Sequence, residues 1–516
     1  MDVVSKVREG STRYPDFLAV IDGEWRCTHA ELWDRVDRLS QGLLGLGVSK
    51  GDVVLAWLPN AHEAIESELA CLQIGIIWVT LNTQMIWNEV RNVITDTDPK
   101  IMIVGPDQYD QIDIADPRNP PSFEDTLKIV TGDLDSILSY ESLISANPAK
   151  RPVVDVVESD IARLRYTSGT TGAMKAAVLS HQAYLASLQN HQNELHAMDP
   201  SDRVLHVAPL THASGSYLYP VLAAGGANVI ARRFDAEEIL ETIERERITT
   251  MFVVPTILQR LSASPRFRTR DLSSLRTVAY GGAPMSVEKL TPAIEGLGTA
   301  LLQIYGLTEA LHPVTTLKRE EHWVGNPNLD SIGTPTAINQ VKLVDKSGAE
   351  IHDERVGELH VRGANVMDGY WNAPEATDEV LKDGWLATGD LGYRDQNGYF
   401  RIVDRKKDVI ISGGFNVYTA EVESVLNDHP AVTEAAVIGI PHDEWGESVH
   451  AIVVCTPGSK LTPDDLVAHC RSRLSKFKVP KNVSFHDGPL PKSGAGKILK
   501  QELRRPFWED QKRQVH

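Results

Sequence analysis

The chain has 516 residues, 42% of them hydrophobic and 24% charged, and a formal net charge of −18. That length exceeds one ordinary core and predicts two or more domains, while the composition excludes a disordered, collagen-like, coiled-coil or disulfide-scaffold protein. Four cysteines, Cys27, Cys71, Cys455 and Cys470, without CxxC or Cys/His metal spacing, predict a cytoplasmic protein without disulfides, and neither a signal peptide nor a membrane-spanning run is expected.

Apolar residues recur at helical spacing over 28–46, and Val53-Val54-Leu55-Ala56-Trp57-Leu58 reads as a buried strand. Helices about 61–74 and 88–95 then alternate with strands 76–81 and 101–104, the pattern of a doubly wound parallel sheet. The Asp/Pro-rich 106–121 is expected to be a loop. Next comes Tyr166-Thr167-Ser168-Gly169-Thr170-Thr171-Gly172-Ala173-Met174-Lys175, in which glycines allow close backbone approach, hydroxyls donate and one lysine supplies charge, as a phosphate-gripping loop requires. Apolar residues stop at Tyr166 and resume at Val178, so this loop is expected to join two strands, and its spacing differs from GxxxxGK[ST]. The α/β alternation restarts with helices 181–195, 216–224 and 236–244 and strands 204–208, 228–230 and 250–254; short strands within 333–363 predict a small β unit. Asp404-Arg405-Lys406-Lys407-Asp408 cannot all be buried and reads as a connector or hinge, dividing an N-terminal domain 1–403 from a C-terminal α+β domain 409–516.

Charge is unevenly placed. From Arg405 onward 16 Lys/Arg face 14 Asp/Glu, against 36 and 56 before it, and residues 471–505 carry ten basic and two acidic side chains. A basic stretch on an acidic protein suits a polyphosphate ligand, whereas the acidic bulk excludes a general nucleic-acid binder.

Five stretches in order resemble the adenylate-forming enzymes, the acyl-CoA synthetase and luciferase-like superfamily: TSGTTGAMK at 167–175, YGLTE at 305–309, TGD at 388–390, DRKKDVIISGGFNVYTAEVE at 404–423 and LPKSGAGK at 490–497. The resemblance implies a large N-terminal domain of doubly wound subdomains with a small β unit, a small mobile α+β C-terminal domain, and ATP-dependent activation of a carboxylic acid. It places Lys175 and Thr167, Ser168, Gly169, Thr170, Thr171 and Gly172 at the β- and γ-phosphates, and Glu309 at Mg²⁺. Thr308 falls at the α-phosphate, and Lys497 between the carboxylate and the α-phosphate. Tyr305 with Gly306, and Gly281, Gly282, Ala283 and Pro284, fall around adenine, Asp390 and Arg405 at the ribose, and Lys407 at the hinge. For coenzyme A it points to Gly413, Gly414, Trp445, Phe477 and Lys481, and for the acid to His212, Tyr219, Tyr280 and Leu311.

The pattern has departures. Met174 and Ala176 stand where the family usually has proline and glycine, which is expected to alter loop mobility or ATP affinity, and Val479 stands where some members carry an arginine near the CoA phosphates. Small residues Ala213, Ser214, Gly215 and Ser216 leave volume for an aryl, alicyclic or medium-chain acid. The reading is an ATP-dependent acid–CoA ligase with ATP, Mg²⁺ and coenzyme A as cofactors, and a homodimer is compatible with it. An amine or carrier-protein acceptor is the main alternative, and a phosphoryl-transfer ATPase a more distant one.

Overall fold

The computed structural model describes residues 1–132, 137–167, 174–492 and 498–508. It separates into two compact units, residues 1–340 with 361–386, and residues 341–360 with 387–516. The small β segment around 341–360 thus groups with the C-terminal residues, and the 404–408 connector lies inside the second unit.

Two sheets build the first unit. One places the strands Ile101–Val104, Val53–Trp57, Ile77–Thr80 and Ile161–Thr167 side by side and parallel, with Lys175–Ser180 closing antiparallel on the last. All four residues of Ile101–Val104 and all five of Val53–Trp57 are buried, as sheets covered on both faces require. The other sheet has a parallel centre of Leu18–Asp22, Ala227–Ile230, Arg203–His206, Thr250–Val253, Thr277–Gly281 and Leu301–Leu307. Helices His29–Gly45, His62–Gln73, His181–Glu194 and Ala236–Glu246 follow the sequence spacing closely. The first is closed by a capping box in which Thr28 and Glu31 exchange hydrogen bonds.

Two local expectations change. Residues 106–121 contain a short helix, Pro106–Tyr109, which proline opens at no hydrogen-bonding cost because the first helical N–H has no intrahelical acceptor. The helix expected over 216–224 divides into a 3₁₀ turn, Ala213–Tyr217, and a helix, Leu218–Ala223. Gly215 permits the tight turn, since a Cβ there would lie 2.1 Å from the Leu210 carbonyl oxygen.

In the second unit, strand 387–394 pairs antiparallel with Phe400–Arg405. A separate sheet contains Phe415–Val417, Ile410–Ser412, Gly446–Cys455, Val432–His442 and Asn482–Phe485, and the helices Thr419–Asn427 and Pro463–Arg471 contribute Val422, Leu426, Leu466 and Cys470 to its core. Among the described residues no helix is long and apolar enough to cross a membrane.

Candidate active site

The glycine-rich loop joins the antiparallel strands Ile161–Thr167 and Lys175–Ser180, with Thr167 opposite Lys175. It therefore does not open a helix, which separates it from the nucleotide loops that rest on a helix N-terminus. Ser168, Gly169, Thr170, Thr171 and Gly172 lie outside the described residues. Met174 packs against the adjoining hydrophobic core and Ala176 is buried within it, its carbonyl accepting from Trp371 N at 2.8 Å. Both departures from the family pattern are thus core contacts.

Lys175 Nζ stands 5.4 Å from the centroid of the Tyr370 ring. The Tyr370 hydroxyl donates to Glu309 Oε1 at 2.9 Å, and burial, followed by the negative charge of Glu309, pushes the phenol pKa up so that it stays a donor. Tyr370, on the short strand Gly369–Tyr370 beside Ala177 and Val178, links two residues that sequence reasoning assigned separately. Glu309 and Thr308 form the two-residue turn between Leu301–Leu307 and Ala310–Leu317. Tyr305 is buried on the first of these strands. Gly306 lies against His312, where a Cβ would come within 2.5 Å of the histidine Cβ. Gly281 ends Thr277–Gly281 and abuts the Ile304 carbonyl, and Gly282, Ala283 and Pro284 continue from it exposed, with Gly282 at φ +83°.

His212 follows an anchored carbonyl. Arg163 and Arg165 each reach the Thr211 oxygen with an Nη2 donor at 3.3 Å, and Thr211 Oγ1 sits 2.7 Å from His212 Nδ1. Of the residues expected at the acid, Tyr219 donates to buried Glu68, Tyr280 bonds His322 Nε2 at 3.0 Å, and Leu311 is buried with its N–H on the Asn365 carbonyl. A ring cluster that the sequence left unassembled lies close by: His191, Tyr217, Phe252 and His312.

In the second unit Asp390 and Arg405 face each other across paired strands, Arg405 Nε 2.9 Å from Asp390 Oδ1. Asp390 is buried on strand Trp385–Arg394, in which Gly389 takes φ +74° and receives Lys406 N on its carbonyl at 2.8 Å. Lys407 lies in the turn 406–408 that follows strand Phe400–Arg405. Gly413 N donates to the Trp445 carbonyl at 2.9 Å, Lys481 Nζ stands 5.5 Å from the Trp445 ring centroid and His442 stacks on that ring, so three of the five residues expected at coenzyme A converge. Gly414, at φ +82°, has open space where a Cβ would be, and Phe477 stacks on Phe415 instead. Val479 is buried in the core of this unit, so it is a packing residue. Lys497 lies outside the described residues.

Residues 7–371 match the model of the AMP-binding enzymes, and residues 421–497 that of the AMP-binding enzyme C-terminal domain. The chain belongs to the AMP-binding enzyme family. It is 40% identical over 496 residues to a feruloyl-CoA synthase of an Amycolatopsis species, covering 96% of each chain, and 35% identical to an indoleacetate–CoA ligase of Aromatoleum aromaticum, covering 95% of each. The solved amide bond synthetase McbA of Marinactinospora thermotolerans superposes with a TM-score of 0.86 at 30% identity, covering 98% of this chain and 100% of that one. The protein is an adenylate-forming ligase of the AMP-forming acid–thiol class.

Proposed function

We propose that this protein activates a carboxylic acid, with aromatic acids the favoured class, as an acyl-adenylate and passes the acyl group to coenzyme A. The observation that carries the reading is the chain Lys175–Tyr370–Glu309, which joins the cation after the glycine loop to the acid of the YGLTE turn. A carboxylate oxygen attacks the α-phosphorus of ATP, the bond to the β-phosphate oxygen breaks, and pyrophosphate leaves. The coenzyme A thiolate then attacks the acyl carbon and AMP departs with the bonding electrons of the acyl–oxygen bond. Neither step needs a covalent link to protein. The task of the side chains is to oppose repulsion between anions and to hold the reactants in line.

Lys175, the Thr167–Gly172 loop and Thr308 would bind the phosphates, and Lys497 would neutralise charge between carboxylate and α-phosphate. Asp390, aligned by Arg405, would accept from the ribose hydroxyls, while Tyr305, Gly306 and residues 281–284 would take the base. Glu309 fits Mg²⁺, a hard cation usually held by one or two carboxylates together with phosphate oxygens. Once bound, the ion would screen phosphate charge. Gly413, Gly414, Trp445, Phe477 and Lys481 would receive coenzyme A, 404–408 would serve as the hinge between 1–403 and 409–516, and a cytoplasmic location follows from free cysteines and from the substrates.

Incubation with Mg-ATP, coenzyme A and a panel of acids should yield AMP, pyrophosphate and acyl-CoA in equal amounts. ADP as product would overturn adenylation. Pyrophosphate with an amide formed from added amine, and no thioester from coenzyme A, would move the acceptor to the amide-forming alternative.

A further inference from the structure

Two buried arginines meet at one carbonyl, and among the described residues only Arg163 has a counter-charge. Arg163 and Arg165 are alternate residues of strand Ile161–Thr167 and so project from the same face. Both donate to the Thr211 oxygen at 3.3 Å. Arg163, 2% exposed, also pairs with buried Glu68 at 3.2 Å and donates to Thr80 Oγ1 at 2.5 Å. Burial opposes its charge, yet Glu68 holds it above the ordinary arginine range. Arg165 is 9% exposed, and the bond to Thr211 is its only side-chain hydrogen bond among the described residues, none of which brings a carboxylate within ion-pairing distance. Burial, with the charge of Arg163 adding to it, pulls its pKa below the ordinary value.

A cation in a poorly solvated place costs far more alone than paired, so Arg165 has a demand that an anion can meet. The place is open to a ligand. Arg163 Nε is sealed from solvent without an acceptor, whereas no nitrogen of Arg165 is, so its unbonded Nε and Nη1 keep accessible surface. Tyr166, Thr211, His212 and Ala213 are half-buried, not closed off. Position selects the anion. Arg165 lies two residues before Thr167, where the glycine loop begins, and the carbonyl it holds belongs to the residue before His212. It thus touches the stretch expected at the acid and leads into the one expected at the phosphates, where the carboxylate must sit to attack. His312, within reach of the Arg165 charge, is held well below the usual imidazole range by burial first and supplies no competing cation.

We propose that the Arg165 guanidinium binds the reacting carboxylate of the acid before adenylation and holds it for attack on ATP. The inference rests on the ligase reading above and adds a residue to its acid site. When the carboxylate oxygen bonds to the α-phosphorus its charge leaves with pyrophosphate, so the acyl group of the adenylate no longer carries the anion that Arg165 meets. The guanidinium therefore serves the first half-reaction and not the second.

Arg165→Met keeps the length of the side chain and removes its charge, and Arg165→Lys keeps the charge. The probe is whichever of benzoate, cinnamate, phenylacetate and octanoate the parent protein converts fastest. Arg165→Met should raise KM for that acid by about tenfold or more, the loss expected of a hydrogen bond to a charged group. KM for ATP, and conversion of supplied acyl-adenylate and coenzyme A to thioester, should stay within about threefold of the parent, as loss of ground-state acid binding requires. Arg165→Lys should recover most of the acid affinity, and the urea midpoint of Arg165→Met should not fall, because an uncompensated charge has left the interior. An unchanged KM for the acid would overturn the inference while leaving the ligase reading intact. Equal loss of both half-reactions with a lowered urea midpoint would do the same, reducing Arg165 to a brace for the Thr211 carbonyl. So would a parental preference for 4-carboxycinnamate over cinnamate that Arg165→Met abolishes, which would place the guanidinium at a second carboxylate. ADP as the product of the parent protein would overturn the ligase reading and this inference with it.

Discussion

Replacing Tyr370 by Phe would keep the ring that faces Lys175 and delete only the hydroxyl that Glu309 accepts. A hydrogen bond to a charged group is worth about 1.5–3 kcal/mol, so Tyr370→Phe should lower kcat/KM for adenylation by about tenfold or more. The Mg²⁺ concentration giving half-maximal rate should rise as well, since the carboxylate loses its orienting donor; unchanged Mg²⁺ dependence would remove Tyr370 from the site. Tyr370 was illegible in the sequence because it lies 61 positions from Glu309, and its role comes from strand pairing with Ala177 and Val178. Buried histidines give a second prediction. His181, His191 and His206 are each pushed down to about 4 by burial, against an unfolded value near 6.5. Between those values the unfolded chain binds about three more protons than the folded one through these groups alone. Stability should therefore be full above pH 6.5 and fall as pH drops toward 4, read as a declining urea midpoint. A midpoint that stays flat or rises over that interval would contradict the burial of these rings as neutral imidazoles.

At the scale of elements, much of the fold was legible because hydrophobic period and punctuation agree. Apolar runs ending at Tyr166 and resuming at Val178 correctly placed the glycine loop between two strands. What the period misses is the polar tie between elements. Asp404 sits in a run of five charges that reads as exposed, yet it is buried, accepting from Thr419 N and Oγ1 at the start of helix Thr419–Asn427. Lys500, opening helix Lys500–Trp508, donates to Thr419 Oγ1 at 2.6 Å and pairs with Glu423 Oε1 at 2.7 Å. Burial pushes the carboxyls of Glu423 and Asp404 up and opposes the charge on Lys500, whose pKa the surrounding carboxylates nevertheless hold above its ordinary value. Lys500→Met keeps the length and removes the charge, leaving buried carboxylates without their cation. Removing one partner of such a pair costs about 3–5 kcal/mol. That loss should shrink as pH falls and Glu423 and Asp404 take up protons; a loss independent of pH would assign Lys500 a packing role only.

At the scale of the molecule, the candidate residues fall into two sets, one in each compact unit. Lys175, Glu309, Tyr305 and His212 belong to the first, and Asp390, Arg405, Lys407 and Trp445 to the second. Two half-reactions that share one acyl group but need different partners, pyrophosphate leaving in one and a thiol arriving in the other, motivate the proposed rotation of residues 409–516 about 404–408, a pivot that lies within the second unit and not at its boundary with the first. The proposed pivot is open to a clean test. In the turn after Arg405, Lys406 N and Asp408 N donate to the carbonyls of Gly389 and Arg405, whereas Lys407 N makes no hydrogen bond among the described residues. Lys407→Pro therefore removes no backbone hydrogen bond among the described residues. Its effect is on rotation, because the ring fixes φ at 407 and disfavours the α region at 406, where a two-state turn would need freedom. Local rigidity of this kind should restrict the proposed rotation of 409–516 against 1–403 while leaving the elements on either side of the turn folded. Pyrophosphate release with acid and ATP should then stay within about threefold of the parent, while conversion of supplied acyl-adenylate and coenzyme A to thioester falls by about 100-fold, a barrier increase near 2.7 kcal/mol. Equal loss of both half-reactions would sink the pivot at Lys407, since damage to a shared structure lowers both and a blocked rotation lowers one.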